Sequence, residues 1–120
     1  MSNEPLPLHA QHCRPPSAQS KLDPKDVARY LEQVSGWKKA DDCEAITKEF
    51  RFGDYFHTMA FVNTVASIAH REDHHPDLEV GYNKCVVRYS THDAKGLTLN
   101  DFICAAKVED MVVRDGGAAT

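Results

Sequence analysis

The sequence predicts an α+β domain: a four-stranded antiparallel sheet with helices packed on one face, in the order helix, strand, strand, helix, strand, strand, helix. Two observations predict it. Stretches with helical apolar spacing alternate with pairs of short stretches whose apolar residues recur at every second position. The members of each pair lie too close in sequence for a crossover helix, so hairpins and an antiparallel sheet follow.

The first helix is predicted over 24–34. Asp23 offers an N-cap and Pro24 suits the first helical position; Val27, Tyr30, Leu31 and Val34 follow at helical spacing, and Gly36 offers a stop. A short strand is expected at about 36–39, before a polar turn reaching Asp42. The next strand runs from Glu44 to Phe52, with Ile46, Lys48, Phe50 and Phe52 on one face and Ala45, Thr47, Glu49 and Arg51 on the other. Asp54 caps a long helix to about His74, whose apolar stripe reads Tyr55, Met59, Val62, Val65, Ala66 and Ala69. Pro76 ends it, because the residue before proline is pushed out of helical geometry. Two strands follow at about 78–82 and 84–91, joined at Gly81-Tyr82-Asn83. Cys85, Val87, Tyr89 and Thr91 share one face of the second. Thr98 caps a last helix to about Arg114, with Leu99, Phe102, Ile103, Ala106 and Val113 facing inward.

Residues 1–21, rich in proline, serine and glutamine, read as a solvated, flexible tail, and 116–120 as a loose end, leaving a domain over 22–115. His9, His12 and Cys13 could ligate a metal, but a flexible segment does not preorganise ligands. The 120 residues suit one domain, and 42% hydrophobic with 27% charged residues is a globular mix. A core this small gains from burial against a second copy. The net charge of −4 argues against nucleic-acid binding through bulk charge. No stretch approaches the roughly 20 apolar residues of a membrane span, and the N-terminus does not read as a secretory signal. A cytoplasmic protein is therefore expected, with Cys13, Cys43, Cys85 and Cys104 as free thiols.

Histidine is the residue type that stands out. Four of the seven, His70, His74, His75 and His92, fall within one short region, with Glu72, Asp73 and Asp101 as acidic companions. A helix end, a strand end and the start of the last helix could converge there. One reading is proton transfer, since neighbouring imidazoles can serve as acid and base near neutral pH. A second is a metal site: His70 and His74 have the i, i+4 spacing of a bidentate pair, with His92 or Asp101 as a third ligand. Arg71 stands where a metalloprotease needs glutamate. Each residue also has a bland explanation: solvated helix histidines, a packing role for Tyr82, and a capping box in Thr98-x-x-Asp101.

The set His70, His74-His75-Pro76, Tyr82, His92 and Asp101 resembles the signature of the pterin-4a-carbinolamine dehydratase family at every spacing. Gly36-Trp37, Phe50-x-Phe52, Tyr82-Asn83-Lys84, Ser90-Thr91-His92 and Gly96-Leu97 extend the likeness over about 23–112. The resemblance implies removal of water from 4a-hydroxytetrahydropterin to give quinonoid dihydropterin, which recycles the pterin of an aromatic amino acid hydroxylase. It implies no metal and no bound cofactor, the pterin being substrate. His74 and His92 would be the acid–base groups and His75 would mainly hold the substrate. Asp73, Ser90 and Thr91 would line the pterin pocket, and Asp101 would orient a histidine, with His92 the first candidate. Animal relatives often carry Glu at position 70, where His70 would tune its neighbours differently. The resemblance also implies a homodimer or homotetramer. Two rivals stand beside it: a non-enzymatic protein-binding or dimerisation module, and a dehydratase-like protein of another pterin pathway.

Overall fold

The computed structural model describes residues 6–15, 17, 19–40 and 44–114. It contains α1 (Pro24–Leu31), β1 (Lys38–Ala40), β2 (Ala45–Arg51), α2 (Tyr55–Glu72), β3 (Asp77–Val80), β4 (Lys84–Tyr89) and α3 (Leu99–Arg114), in the predicted order. The expected loose end at 116–120, the turn residues Asp41 and Asp42, and the inward side chain of Val113 lie outside the described residues.

Asp23 caps α1 by accepting from the Asp26 N–H. The helix stops at Leu31, short of the predicted 34. The Gln33 and Val34 N–H groups bond to the carbonyls of Tyr30 and Leu31, a tighter last turn that still buries Val34. Gly36 then turns the chain toward Trp37 at φ 82°.

The sheet order is β1-β2-β4-β3, antiparallel throughout. Pairing of Ile46 with Tyr89 and of Phe50 with Cys85 sets the register. Ile46, Phe50, Cys85, Val87 and Tyr89, all fully buried, therefore share one face. Thr47, Glu49, Arg51, Val86 and Arg88 on the other face are half-buried or exposed. The helices thus cover one side of the sheet, as predicted.

The side of α2 that faces the sheet is rotated from the predicted stripe. Thr58, Phe61, Val65, Ile68 and Ala69 are buried, while Tyr55 and Ala66 are exposed. The reason is the Phe61 ring, which packs 4.6 Å from Phe50 and 5.1 Å from Phe52 between centroids. At the far end of the core, Trp37 packs on Phe50 and Tyr89 and donates its indole N–H to Glu109.

Residues 6–15, which the sequence pattern reads as part of a solvated tail, lie against α3 as a strap. Leu8 is buried in the core. The Cys13 N–H donates to Glu72 Oε1 at 2.7 Å, and the Arg14 N–H donates to Asn100 Oδ1 at 3.0 Å. Asn100 Nδ2 returns a bond to the Arg14 carbonyl at 2.7 Å, and Lys107 Nζ donates to the His9 carbonyl at 2.9 Å. Side chains of the domain thus satisfy the strap's backbone groups, a source of order that leaves no apolar period in the sequence.

Phe50→Ala removes the ring that Trp37 and Phe61 pack against. It is expected to cost about 3–5 kcal/mol in urea unfolding. Glu72 makes a pH-dependent contribution. Burial pushes its carboxyl up, but the Cys13 N–H, His12 and Lys107 pull it down, and the balance lies below the ordinary value. The stability it adds is complete above the ordinary glutamate value and is lost as pH falls through the lowered one. The difference in thermal midpoint between wild type and Glu72→Gln should be largest near neutrality and close below about pH 4. A difference that ignores pH would count against this role.

Candidate active site

The site forms where α2 ends, β4 ends and α3 begins. Helix α2 stops at Glu72, because Asp73 takes the left-handed conformation at φ 51°. The N–H groups of Asp73 and His74 both reach back to the Ala69 carbonyl. This is a Schellman-type end, usually built on glycine but open to aspartate. It corrects the prediction that the helix runs to His74 and is stopped by Pro76. It also separates His70 from His74, which no longer share a helical face. His70 is exposed and does not line the cleft described below.

The turn carries the His74 side chain inward. His74 is 7% exposed and Asp101 fully buried, with His74 Nε2 2.6 Å from Asp101 Oδ1. Asp101 Oδ2 accepts from the Thr98 N–H and the Thr91 hydroxyl, each at 2.9 Å. The Thr98 and Thr91 hydroxyls lie 2.8 Å apart, so Thr98 donates to Thr91 while Thr91 donates to Asp101. Three donors around one carboxyl mark Asp101 as an acceptor. The His74 Nε2 then carries the hydrogen shared in this bond. The Tyr89 ring lies parallel to the His74 ring, at 9° with centroids 5.8 Å apart. Burial, and then the neighbouring Cys104, Cys13 and Asp101, push the Tyr89 phenol well above its usual range. Its hydroxyl has no hydrogen-bond partner among the described residues.

Beyond β4 the chain closes a small loop. Thr91 and Gly96 bridge, the Thr91 N–H donating to the Gly96 carbonyl at 3.1 Å. His92 opens a 3-10 turn at the tip and is exposed. Ser90 Oγ donates to the Glu44 carbonyl at 2.7 Å, which ties the loop to the start of β2.

His74, His75 and His92 border one solvent-open cleft of about 260 Å³, together with Asp73, Ser90, Thr91 and Asp93. The predicted site residues are therefore brought together, with Asp101 beneath the floor rather than in it. Asp101 bonds His74, not His92 as expected, because the start of α3 faces the α2 turn. Both sequence readings of Asp101 describe real bonds: it caps its own helix through Thr98 and also holds a histidine. Sequence reasoning gave Thr98 its capping bond but missed its hydroxyl contact with Thr91, and missed Tyr89 as the surface behind His74. The inward alternation of β4 was the only signal for Tyr89. Among the described residues, no group of three or more His, Cys, Asp or Glu is arranged to hold a metal ion.

A helix-backed antiparallel sheet carrying a carboxylate-anchored histidine beside two others on one cleft is the arrangement of the pterin dehydratase-like fold class. Comparison with known proteins narrows this. The family model described as pterin 4 alpha carbinolamine dehydratase matches residues 20–111, and the chain belongs to that family. A Xanthomonas oryzae pv. oryzae protein provisionally named pterin-4-alpha-carbinolamine dehydratase is 57% identical over 103 residues, 85% of this chain and 87% of that one. A Xanthomonas campestris pv. campestris protein with the same provisional name is 56% identical over 107 residues, 88% and 91% of the two chains. The crystal structure of a transcriptional coactivator/pterin dehydratase from Brucella melitensis superposes with a TM-score of 0.74 at 33% identity, covering 77% of this chain and 98% of that one. A pterin dehydratase-like protein identified as a RuBisCO assembly factor in the alpha-carboxysome gives 0.57 at 20% identity over 71% and 93%, a likeness of fold alone.

Thr91→Val keeps the side-chain shape and removes the hydroxyl that donates to Asp101. It is expected to lower stability by about 1–3 kcal/mol, read by chemical unfolding. Thr91→Ser, which keeps the hydroxyl, should recover most of that loss.

Proposed function

We propose that the protein is a dehydratase acting on 4a-hydroxytetrahydropterin. The observation that carries this reading is His74, buried and bonded to Asp101 yet bordering the same cleft as His75 and His92. The reaction breaks the C4a–O bond, takes the proton from N5 and forms the C4a=N5 double bond, so the products are quinonoid dihydropterin and water. Two proton transfers suffice: one to the departing hydroxyl, one from the ring nitrogen. His74 and His92 supply them, His75 holds the substrate, and Asp73, Ser90 and Thr91 border the ring. Asp101 acts through His74, fixing its tautomer and ring orientation. No electron changes hands and the two proton transfers balance the reaction, so this reading assigns no step to a redox cofactor.

The cleft lies near the lower end of small-ligand sites, about 300 Å³. A flat bicyclic ring suits it, with substituents left toward solvent. In this reading an aromatic amino acid hydroxylase supplies the carbinolamine, and the protein works in the cytoplasm as a homodimer or homotetramer. The sheet edges at β1 and β3, which no strand among the described residues pairs with, support self-pairing.

Stopped-flow dehydration of chemically prepared 4a-hydroxytetrahydropterin tests the proposal. Wild type should accelerate the reaction. His74→Ala and His92→Ala should each lose about 100-fold or more in kcat with unchanged circular dichroism, while His75→Ala should act mainly on KM. No acceleration by wild type would refute the enzyme reading and favour a binding module.

A further inference from the structure

We propose that Cys13 and Cys104 are a redox modification site, whose oxidation to a disulfide locks the strap onto α3. Their sulfurs lie 3.4 Å apart although 91 residues separate them in the chain. Disulfide length is about 2.05 Å, so closure needs roughly 1.4 Å of approach.

The pair is held in place from several sides. The Cys13 N–H is fixed by Glu72, and Arg14 is fixed through both its N–H and its carbonyl by the buried Asn100 side chain. The Cys13 thiol also lies 3.6 Å from the Asn100 carbonyl, toward which it donates. Cys104 is fully buried on α3, one turn beyond Asp101. Cys13 is half-buried and lines an open cavity of about 400 Å³ between the strap and the start of α3, which gives an oxidant access. The two sulfurs thus differ in the way a reactive and a resolving thiol differ. The contact with Cys13 and burial hold the Cys104 thiol far above the ordinary cysteine range, so Cys104 does not react first.

Hydrogen peroxide is a sufficient oxidant. The Cys13 thiolate attacks one peroxide oxygen; the S–O bond forms, the O–O bond breaks, and the hydroxide leaves as water with the thiol's proton. The Cys104 sulfur then attacks the Cys13 sulfenic sulfur; the S–S bond forms, the S–O bond breaks, and the hydroxyl departs as a second water with the Cys104 proton. The two thiols lose two electrons and the peroxide gains them. Cys85 is an internal control: it is buried in the sheet, and burial pushes its thiol up to about 11.

The test treats the full-length protein with an equivalent of hydrogen peroxide, followed by a non-reducing peptide map and thermal melts with and without dithiothreitol. The expected result is a Cys13–Cys104 cross-link within one chain and a rise in Tm of at least about 5 °C, since the closed loop spans most of the chain. Dithiothreitol should reverse the rise, and Cys13→Ser, melting like the reduced wild type, should abolish it. Recovery of Cys13 as a sulfinic acid or linked to Cys43, with Cys104 still alkylatable after unfolding, would overturn the proposal. A cross-link that leaves Tm unchanged would overturn the lock.

Discussion

The structure turns on one buried carboxylate. Asp101 has no contact with solvent, and a lone charge there would be costly. It is tolerated because the amide of Thr98 just before α3, the hydroxyl of Thr91 just past β4 and the imidazole of His74 all bond to it. Those donors come from three parts of the chain that approach one another only in the folded state. Satisfying the charge and assembling the site are therefore the same event.

Such a network is a weak source of stability, since desolvation offsets much of its attraction. Its effect is positional. His74 is clamped on its edge by Asp101 and on its face by Tyr89, so its tautomer and ring plane are set before any ligand arrives. His75 and His92 have no comparable anchor among the described residues and stay exposed. The cleft thus combines one rigid imidazole with two accessible ones. That division suits acid–base work on a ligand that enters from solvent.

The strap shows a second use of polar side chains as scaffolding. Glu72 and Asn100 bond its backbone from α2 and α3, and both lie close to the site in sequence. Glu72 directly precedes the left-handed Asp73 that delivers His74, and Asn100 precedes Asp101. The segments that shape the cleft are thereby tied at their outer side to the N-terminal residues.

The sequence by itself determined the order of elements, the antiparallel pairing, the inward face of β4 and the residues that meet in the cleft. Apolar periodicity, capping residues and the family spacing of the histidines are local signals, and they were legible. Tertiary structure decided the rest. The facing side of α2 followed the Phe61 ring rather than the averaged stripe, because one large ring filling a fixed gap outweighs several small side chains. The helix end followed Asp73, since only context lets a non-glycine residue take a positive φ. The choice of His74 over His92 as the partner of Asp101, and the docking of the strap, rest on hydrogen bonds between residues far apart in the chain. No local pattern encodes those bonds, because their donors and acceptors meet only when the sheet and helices have packed.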